Sequence, residues 1–181
     1  MAQAKRKKRF FDVEIPLIGK TTQCQAYEIS ELENKFLKYD LTRILRGKNT
    51  EVQFIIKIEK EKAIAIPVKI KLLQCFLRRA VRKGTNYVED SFSTNCNNAS
   101  LKIKPFLITR RKVSRAVRKA LRNKAREELI SYVKTKTNEE IFDDIIKNKL
   151  QKPLSLKLKK IYPLSLCEIR ILKVEKFLSE K

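Results

Sequence analysis

A chain of 181 residues with 43% hydrophobic content can build one packed core with short appendages, which excludes a disordered basic tail. Its 43 Lys+Arg against 20 Asp+Glu leave a formal charge of +23 with no histidine, a field that draws nucleic acid or anionic membrane and strains the fold by self-repulsion. No apolar run approaches the ~20 residues of a membrane helix; the longest, Ala63–Val68, contains Pro67, and no hydrophobic signal region follows the basic start, which argues against secretion.

Residues 1–9 carry Lys5, Arg6, Lys7, Lys8 and Arg9 and read as a basic arm that orders on binding. Residues 10–176 are expected to form a single α+β domain and 177–181 a short tail. Phe10–Ile15 and Gln23–Ile29 are short strand candidates around a turn marked by Pro16 and Gly19. Ser30 with Glu33 has capping-box spacing and predicts a helical turn from Ser30 to Leu37. Glu51–Glu59 and Lys62–Leu73 alternate with period two and predict a hairpin through Lys60 and Glu61, with Pro67 marking an edge or bulge. Leu73–Lys83 has helical spacing, with Leu73, Phe76, Leu77, Ala80 and Val81 on one side and Gly84 at the left-handed position that ends a helix.

Thr85–Thr94 and Ser100–Ile108 form a second hairpin candidate, in whose turn Asn97 and Asn98 tolerate positive φ. The period turns helical from Thr109, a candidate N-cap, to about Val133. A second helix covers 138–148 with Ile141, Phe142, Ile145 and Ile146 as its apolar face, and Pro153 opens a short third one. Leu164–Val174 alternates again as a closing strand. Strands, then helices, then a returning strand give an α+β body with a mixed or antiparallel sheet, possible barrel closure being left open.

The chemistry concentrates in Arg110–Arg126, seventeen residues with nine basic and no acidic side chains. In a helix beginning at Thr109, Arg110, Arg111 and Lys112 would sit at the positive end of the macrodipole, and like charges three and four apart repel, so a polyanion is the natural compensation. Arg111, Arg115, Arg118 and Arg122 share a narrow sector at 100° per residue, with Lys119 beside them and Val113, Ala116, Val117, Ala120 and Leu121 read as the opposite, packed face. Guanidinium forks suit phosphate oxygens. Arg78, Arg79, Arg82 and Lys83 make a second cluster. Tyr87 and Phe106, and Phe10 and Phe11 beside the arm, are aromatics that either stack on bases or belong to the core and its edges.

Catalysis has little support. No histidine is available for acid–base work near neutral pH, and Gly19-Lys20-Thr21 lacks the glycine five positions earlier that a phosphate-binding loop requires, Glu14 standing there. Cys24, Cys75, Cys96 and Cys167 are scattered without a metal-binding pair and read as reduced thiols. Glu127-Glu128, Glu139-Glu140 and Asp143-Asp144 read as solvated helix positions, leaving a metal-dependent RNA-processing enzyme as a remote alternative. No cofactor, metal or small-molecule substrate is expected.

DLTRILRGKNTEVQFIIK (Asp40–Lys57), RRAVRKGTNYVEDSF (Arg78–Phe92), IKPFLITRRKVSRAVRKALR (Ile103–Arg122) and KKIYPLSLCEIRILKVEK (Lys159–Lys176) resemble, in collinear order over nearly the whole chain, the small-subunit ribosomal protein family e-S-one, older name S-three-Ae. Its short ends are closer to the archaeal members than to eukaryotic ones. Members often carry an Asp-Gly turn where this chain has Asn95–Ala99. The resemblance implies a cytoplasmic, non-enzymatic constituent of the small ribosomal subunit, bound to its rRNA on the platform near the mRNA exit and beside other ribosomal proteins. It also implies a compact β-rich body, partly barrel-like and carrying helices, and rRNA contacts at Arg78, Arg79, Arg82, Lys83 and Arg110–Arg122. A free-standing RNA-binding regulator or chaperone acting off the ribosome is the alternative.

Overall fold

The computed structural model describes residues 7–59 and 62–178. Among these, the order is β1 (Arg9–Ile15), β2 (Lys20–Ala26), β3 (Phe36–Asp40), β4 (Thr50–Glu59), β5 (Lys62–Leu72), α1 (Gln74–Ala80), β6 (Tyr87–Glu89), β7 (Phe92–Asn95), β8 (Ala99–Thr109), α2 (Arg115–Val133), α3 (Asn138–Ile146), α4 (Gln151–Lys159) and β9 (Leu164–Phe177). Nine strands in a mixed, open sheet and four helices make this an α+β chain; the sheet does not close into a barrel. Two compact units divide it, one built from residues up to Tyr39 with Val52–Val68, the other from Asp40–Glu51 and the chain from Lys69 onward.

In the first unit, β1 and β2 pair antiparallel from Arg9↔Ala26 to Ile15↔Lys20. The connecting turn closes through the Gly19 N–H donating to Ile15 O at 3.0 Å, and Gly19 has φ +65, where a Cβ would be strained. That closure starts β2 at Lys20, three residues before the expected strand. Val13, Ile15, Ala26, Val52, Phe54 and Ile56 alternate inward and are buried. The helical turn expected from Ser30 is a 3-10 turn, Ile29–Leu32, and the Ser30–Glu33 box does not form. Glu31 instead accepts from the Tyr27 N–H at 3.1 Å, and the chain leaves as β3, an unexpected strand paired with β4. The β4–β5 pairing follows the alternation of apolar residues, while the Lys60–Glu61 connection lies outside the described residues. Pro67, which has no N–H to give a ladder, falls between the β5 residues paired with β1 (Ala63, Ile64) and those paired with β9 (Lys69–Lys71).

In the second unit, β8 is the spine. β9 pairs along its whole length, while β7 and β6 follow one another on its other edge, opposite Ser100–Ile103 and Phe106–Ile108. The expected single strand over Thr85–Thr94 is therefore broken at Asp90-Ser91. Nearby, the β8–β9 register shifts between Lys104 and Pro105, the place where proline removes a donor. The β7–β8 turn does not use left-handed asparagines: neither Asn97 nor Asn98 has positive φ. Asn98 Oδ1 instead accepts from the Asn138 N–H at 2.9 Å, tying the turn to the start of α3. Phe106 and Ile108 pack under α1 with Leu72 and Leu77.

α2 buries Leu121, Ala125, Leu129 and Val133, a seam at four-residue spacing, against β6, β7 and α4. α3 opens with a capping box formed by Thr137 and Glu140 and buries Ile141, Phe142 and Ile145. α4 packs on β9 through Leu154 and Leu158, with Pro153 in its first turn.

Candidate nucleic-acid interface

Two expected helices are shorter than their sequences suggest, and both differences shape the basic surface. α1 ends at Ala80, so Arg78 and Arg79 occupy its last turn while Arg82 and Lys83 lie beyond it. Gly84 has φ +88 but belongs to the following turn, not to the helix end. α2 starts at Arg115, and its N-cap is Ser114, whose hydroxyl accepts from the Val117 N–H at 3.4 Å. Thr109 is the buried last residue of β8. Arg110, Arg111 and Lys112 therefore form an exposed loop and do not crowd the helix N-terminus.

Asn86, which sequence reasoning did not single out, holds that loop. Its Oδ1 accepts from the Val113 N–H at 2.9 Å, its carbonyl accepts from the Thr109 N–H at 2.9 Å, and its own N–H donates to Thr109 Oγ1 at 3.1 Å. The Thr109 hydroxyl in turn donates to Arg111 O at 2.7 Å. This bracket ties Asn86, three residues after Lys83, to both ends of the Arg110–Lys112 loop and so links two stretches that are distant in sequence. A mid-sequence asparagine beside a threonine-ended strand carries no local signal for such a role.

On α2, Arg115, Lys119 and Arg122 are exposed, while Arg118 is half-buried and its Nε is enclosed without a hydrogen-bond partner among the described residues. Arg118 lies next to the packed seam and not opposite it, because Leu121, Ala125 and Leu129 set the buried face while Ala116 and Ala120 are exposed. Arg111 is off the helix, so the four-arginine stripe is three helical arginines plus a loop arginine. Arg126, one turn on, sits over the Phe92 ring at 5.3 Å.

Of the arm, Lys7, Lys8 and Arg9 are exposed, Arg9 as the first residue of β1, with the Lys8 ammonium 5.6 Å from the Tyr27 ring centroid. Lys5 and Arg6 lie outside the described residues. Phe10 is 63% exposed and Phe11 half-buried. Phe106 is buried in the core and cannot stack on a base, which corrects that expectation: its position under α1 demands an apolar ring. Tyr87 is 55% exposed, with Phe106 behind it at 6.0 Å between ring centroids and 24° between planes.

Among the described residues, no carboxylate pairs with Arg78, Arg79, Arg82, Lys83, Arg110, Arg111, Lys112, Arg115, Lys119 or Arg122. Beyond Arg122 the acids gather. Glu128 pairs with Lys157 at 2.5 Å and Lys124 at 3.5 Å, and these contacts, Lys157 first, hold its carboxyl below the usual range against the opposing effect of burial. Asp144, expected to be solvated, is buried. Burial opposes its charge, but hydrogen bonds from Lys136 and from the Tyr132 hydroxyl at 2.8 Å outweigh it, and the carboxyl is held low. Glu128, Glu140 and Asp144 are thus structural braces. No group of His, Cys, Asp and Glu among the described residues is arranged to hold a metal ion, all four cysteines are free thiols, and no described helix is long and apolar enough to cross a membrane.

The ribosomal S3Ae family matches residues 3–177. The chain belongs to that family. Its relatives include archaeal proteins named small ribosomal subunit protein eS1. The one from Halorubrum lacusprofundi is 28% identical over 138 residues, 75% of this chain and 64% of the relative, so the match spans just under two thirds of that protein. Those from Haloarcula marismortui and Nanoarchaeum equitans are 23% and 25% identical, covering 91% and 87% of this chain and 81% and 84% of the relatives. The family resemblance drawn from the four sequence strings is therefore correct. Membership in a family of ribosomal proteins, and not any missing residue, carries the assignment as a non-enzymatic chain.

Proposed function

We propose that this chain is a structural constituent of the small ribosomal subunit that binds its rRNA through one basic surface. Arg78, Arg79, Arg82 and Lys83 would contribute one edge, the Asn86-braced loop Arg110–Lys112 the centre, and Arg115, Lys119 and Arg122 the other edge. Arg118, half-buried, lies between them on the same helix. The observation that carries the reading is that, in a ribosomal-family chain, ten exposed cations with no carboxylate partner among the described residues come from two sequence clusters tied to one another through Asn86. Unpaired guanidiniums held by a folded loop suit phosphate oxygens whose positions are fixed by RNA shape, more than base edges in a groove. Placement on the platform near the mRNA exit, beside other ribosomal proteins and in the cytoplasm, extends this reading by analogy with the family.

Sucrose-gradient sedimentation tests it. The tagged chain, expressed in cells of an archaeal host, should sediment with small subunits and stay with them in high salt. A chain that remains at the top of the gradient while subunits migrate normally would refute a stable constituent and favour an RNA-binding regulator acting off the ribosome.

A further inference from the structure

Beside the basic clusters lies an open hollow of about 380 Å³, within the size range of small-molecule clefts. Leu77 and Phe106 lie at its base, Val81 and the exposed Tyr87 form its sides, and Arg78 stands at its rim. A second hollow, of about 460 Å³, is lined by Asp90, Lys104 and Arg122 and by the place where β6 breaks and the β8 register shifts. The two share the Glu89 and Arg170 side chains. One nitrogen of Arg170 donates to both Glu89 oxygens, at 2.9 and 3.0 Å, so its other N–H groups remain open to a further acceptor.

We infer that these joined hollows form a trough for a single-stranded RNA segment, with one unstacked base lying against Tyr87 and the backbone passing Arg78, Lys104 and Arg122. This rests on the RNA-binding reading above and adds a base-stacking site to its phosphate contacts. Three observations fix the occupant's chemistry. Tyr87 is exposed, and the Phe106 ring lies near-parallel beside it, so an aromatic surface is open for a base to stack on. Leu77, Val81 and Phe106 line the hollow beside Tyr87 and give a base an apolar surface to lie on. Around them, four cations (Arg78, Lys104, Arg122, Arg170) outnumber two carboxylates (Glu89, Asp90), one of which is already neutralised by Arg170. An aromatic ring between phosphate-binding cations matches one nucleotide's base and its flanking phosphates, not a neutral apolar ligand. A double helix, whose bases are stacked inside, could not use Tyr87.

The test compares the full chain with Tyr87→Ala and Tyr87→Phe in titrations against ten-nucleotide single-stranded RNA and against a perfect RNA duplex of equal length. Tyr87 is exposed, so neither variant should unfold, and circular dichroism checks this. Tyr87→Ala should weaken single-strand binding roughly 5- to 150-fold, the range of one base–aromatic stack. Tyr87→Phe should restore it, duplex affinity should not move, and the salt slope should stay the same because no cation is lost. Equal single-strand affinity for wild type and Tyr87→Ala, with salt-dependent binding intact, overturns the trough and leaves the phosphate-binding surface standing. A wild-type chain that binds neither RNA in a salt-dependent manner overturns both.

Discussion

Replacing Arg110, Arg111 and Arg115 together by glutamine removes three charges from the Asn86-braced loop and the first turn of α2. All three are exposed, and none has a carboxylate partner among the described residues. Stability should hold or rise slightly, since Arg115 opposes the positive end of the helix it begins. A cation that neutralises a phosphate contributes about 0.7–0.9 to the slope of log affinity against log salt, so three lost contacts should flatten that slope by about two to three. Filter binding of the full chain to small-subunit rRNA, across a series of potassium concentrations, measures it. The control is Lys152, Lys159 and Lys160 to glutamine, which removes the same net charge from exposed positions in and just after α4. If both triples flatten the slope equally, only total charge matters. If the arginine triple leaves it unchanged, the contact lies elsewhere. Either result refutes the placement.

Asn86→Ala keeps every charge but removes the acceptor for the Val113 N–H; we expect a loss of about 1 kcal/mol in denaturant titrations and weaker rRNA binding with an unaltered salt slope. Asp144→Asn should destabilise the chain by about 1–3 kcal/mol, since it breaks a buried charge-assisted network with Lys136 and Tyr132. The wild-type carboxyl is lowered on folding, so its contribution is present above the ordinary carboxylate pKa of about 3.9 and lost as pH falls through the lower folded value; melting curves should show Asp144→Asn converging on wild type only below about pH 4. The Cys167 thiol is pushed up to about 12 by burial, with Glu168 adding to it. Native chain treated with iodoacetamide at pH 8 should therefore be alkylated at the exposed Cys75 and spared at Cys167 by mass spectrometry; modification of Cys167 at a similar rate would contradict its burial.

Periodic burial was the legible part of the sequence. The inward residues of β4 and β5, the Ile141–Phe142–Ile145 face of α3 and the closing strand β9 all declare themselves by spacing, because one face of each must leave water. The features that escaped were decided by partners distant in sequence. Nothing between Thr109 and Ser114 forbids a helix; the Asn86 bracket holds those residues in a bent loop, and Ser114 caps the helix only from Arg115 onward. β3 hides behind a capping-box spacing whose serine found no helix to cap. The orientation of the arginine stripe, by contrast, could have been read better, since Leu121, Ala125, Leu129 and Val133 already mark the seam next to Arg118. The Thr137–Glu140 box was likewise present in the sequence. Asp144 looked solvated beside Asp143 because its partner, Lys136, comes from the residues before α3.

The distribution of charge along α2 has a consequence for how the chain approaches its target. The first half of this helix carries Arg115, Arg118, Lys119 and Arg122, and the second half carries Glu127 and Glu128 balanced by Lys124 and Arg126. The peptide dipoles point the same way, positive at the start. Such a helix has an electrical moment as well as a net charge. In the field of a polyanion the net charge pulls while the moment exerts a torque, turning the α2 start forward before any atoms touch. Rotational searching is then biased over roughly a Debye length, about 8 Å in physiological salt.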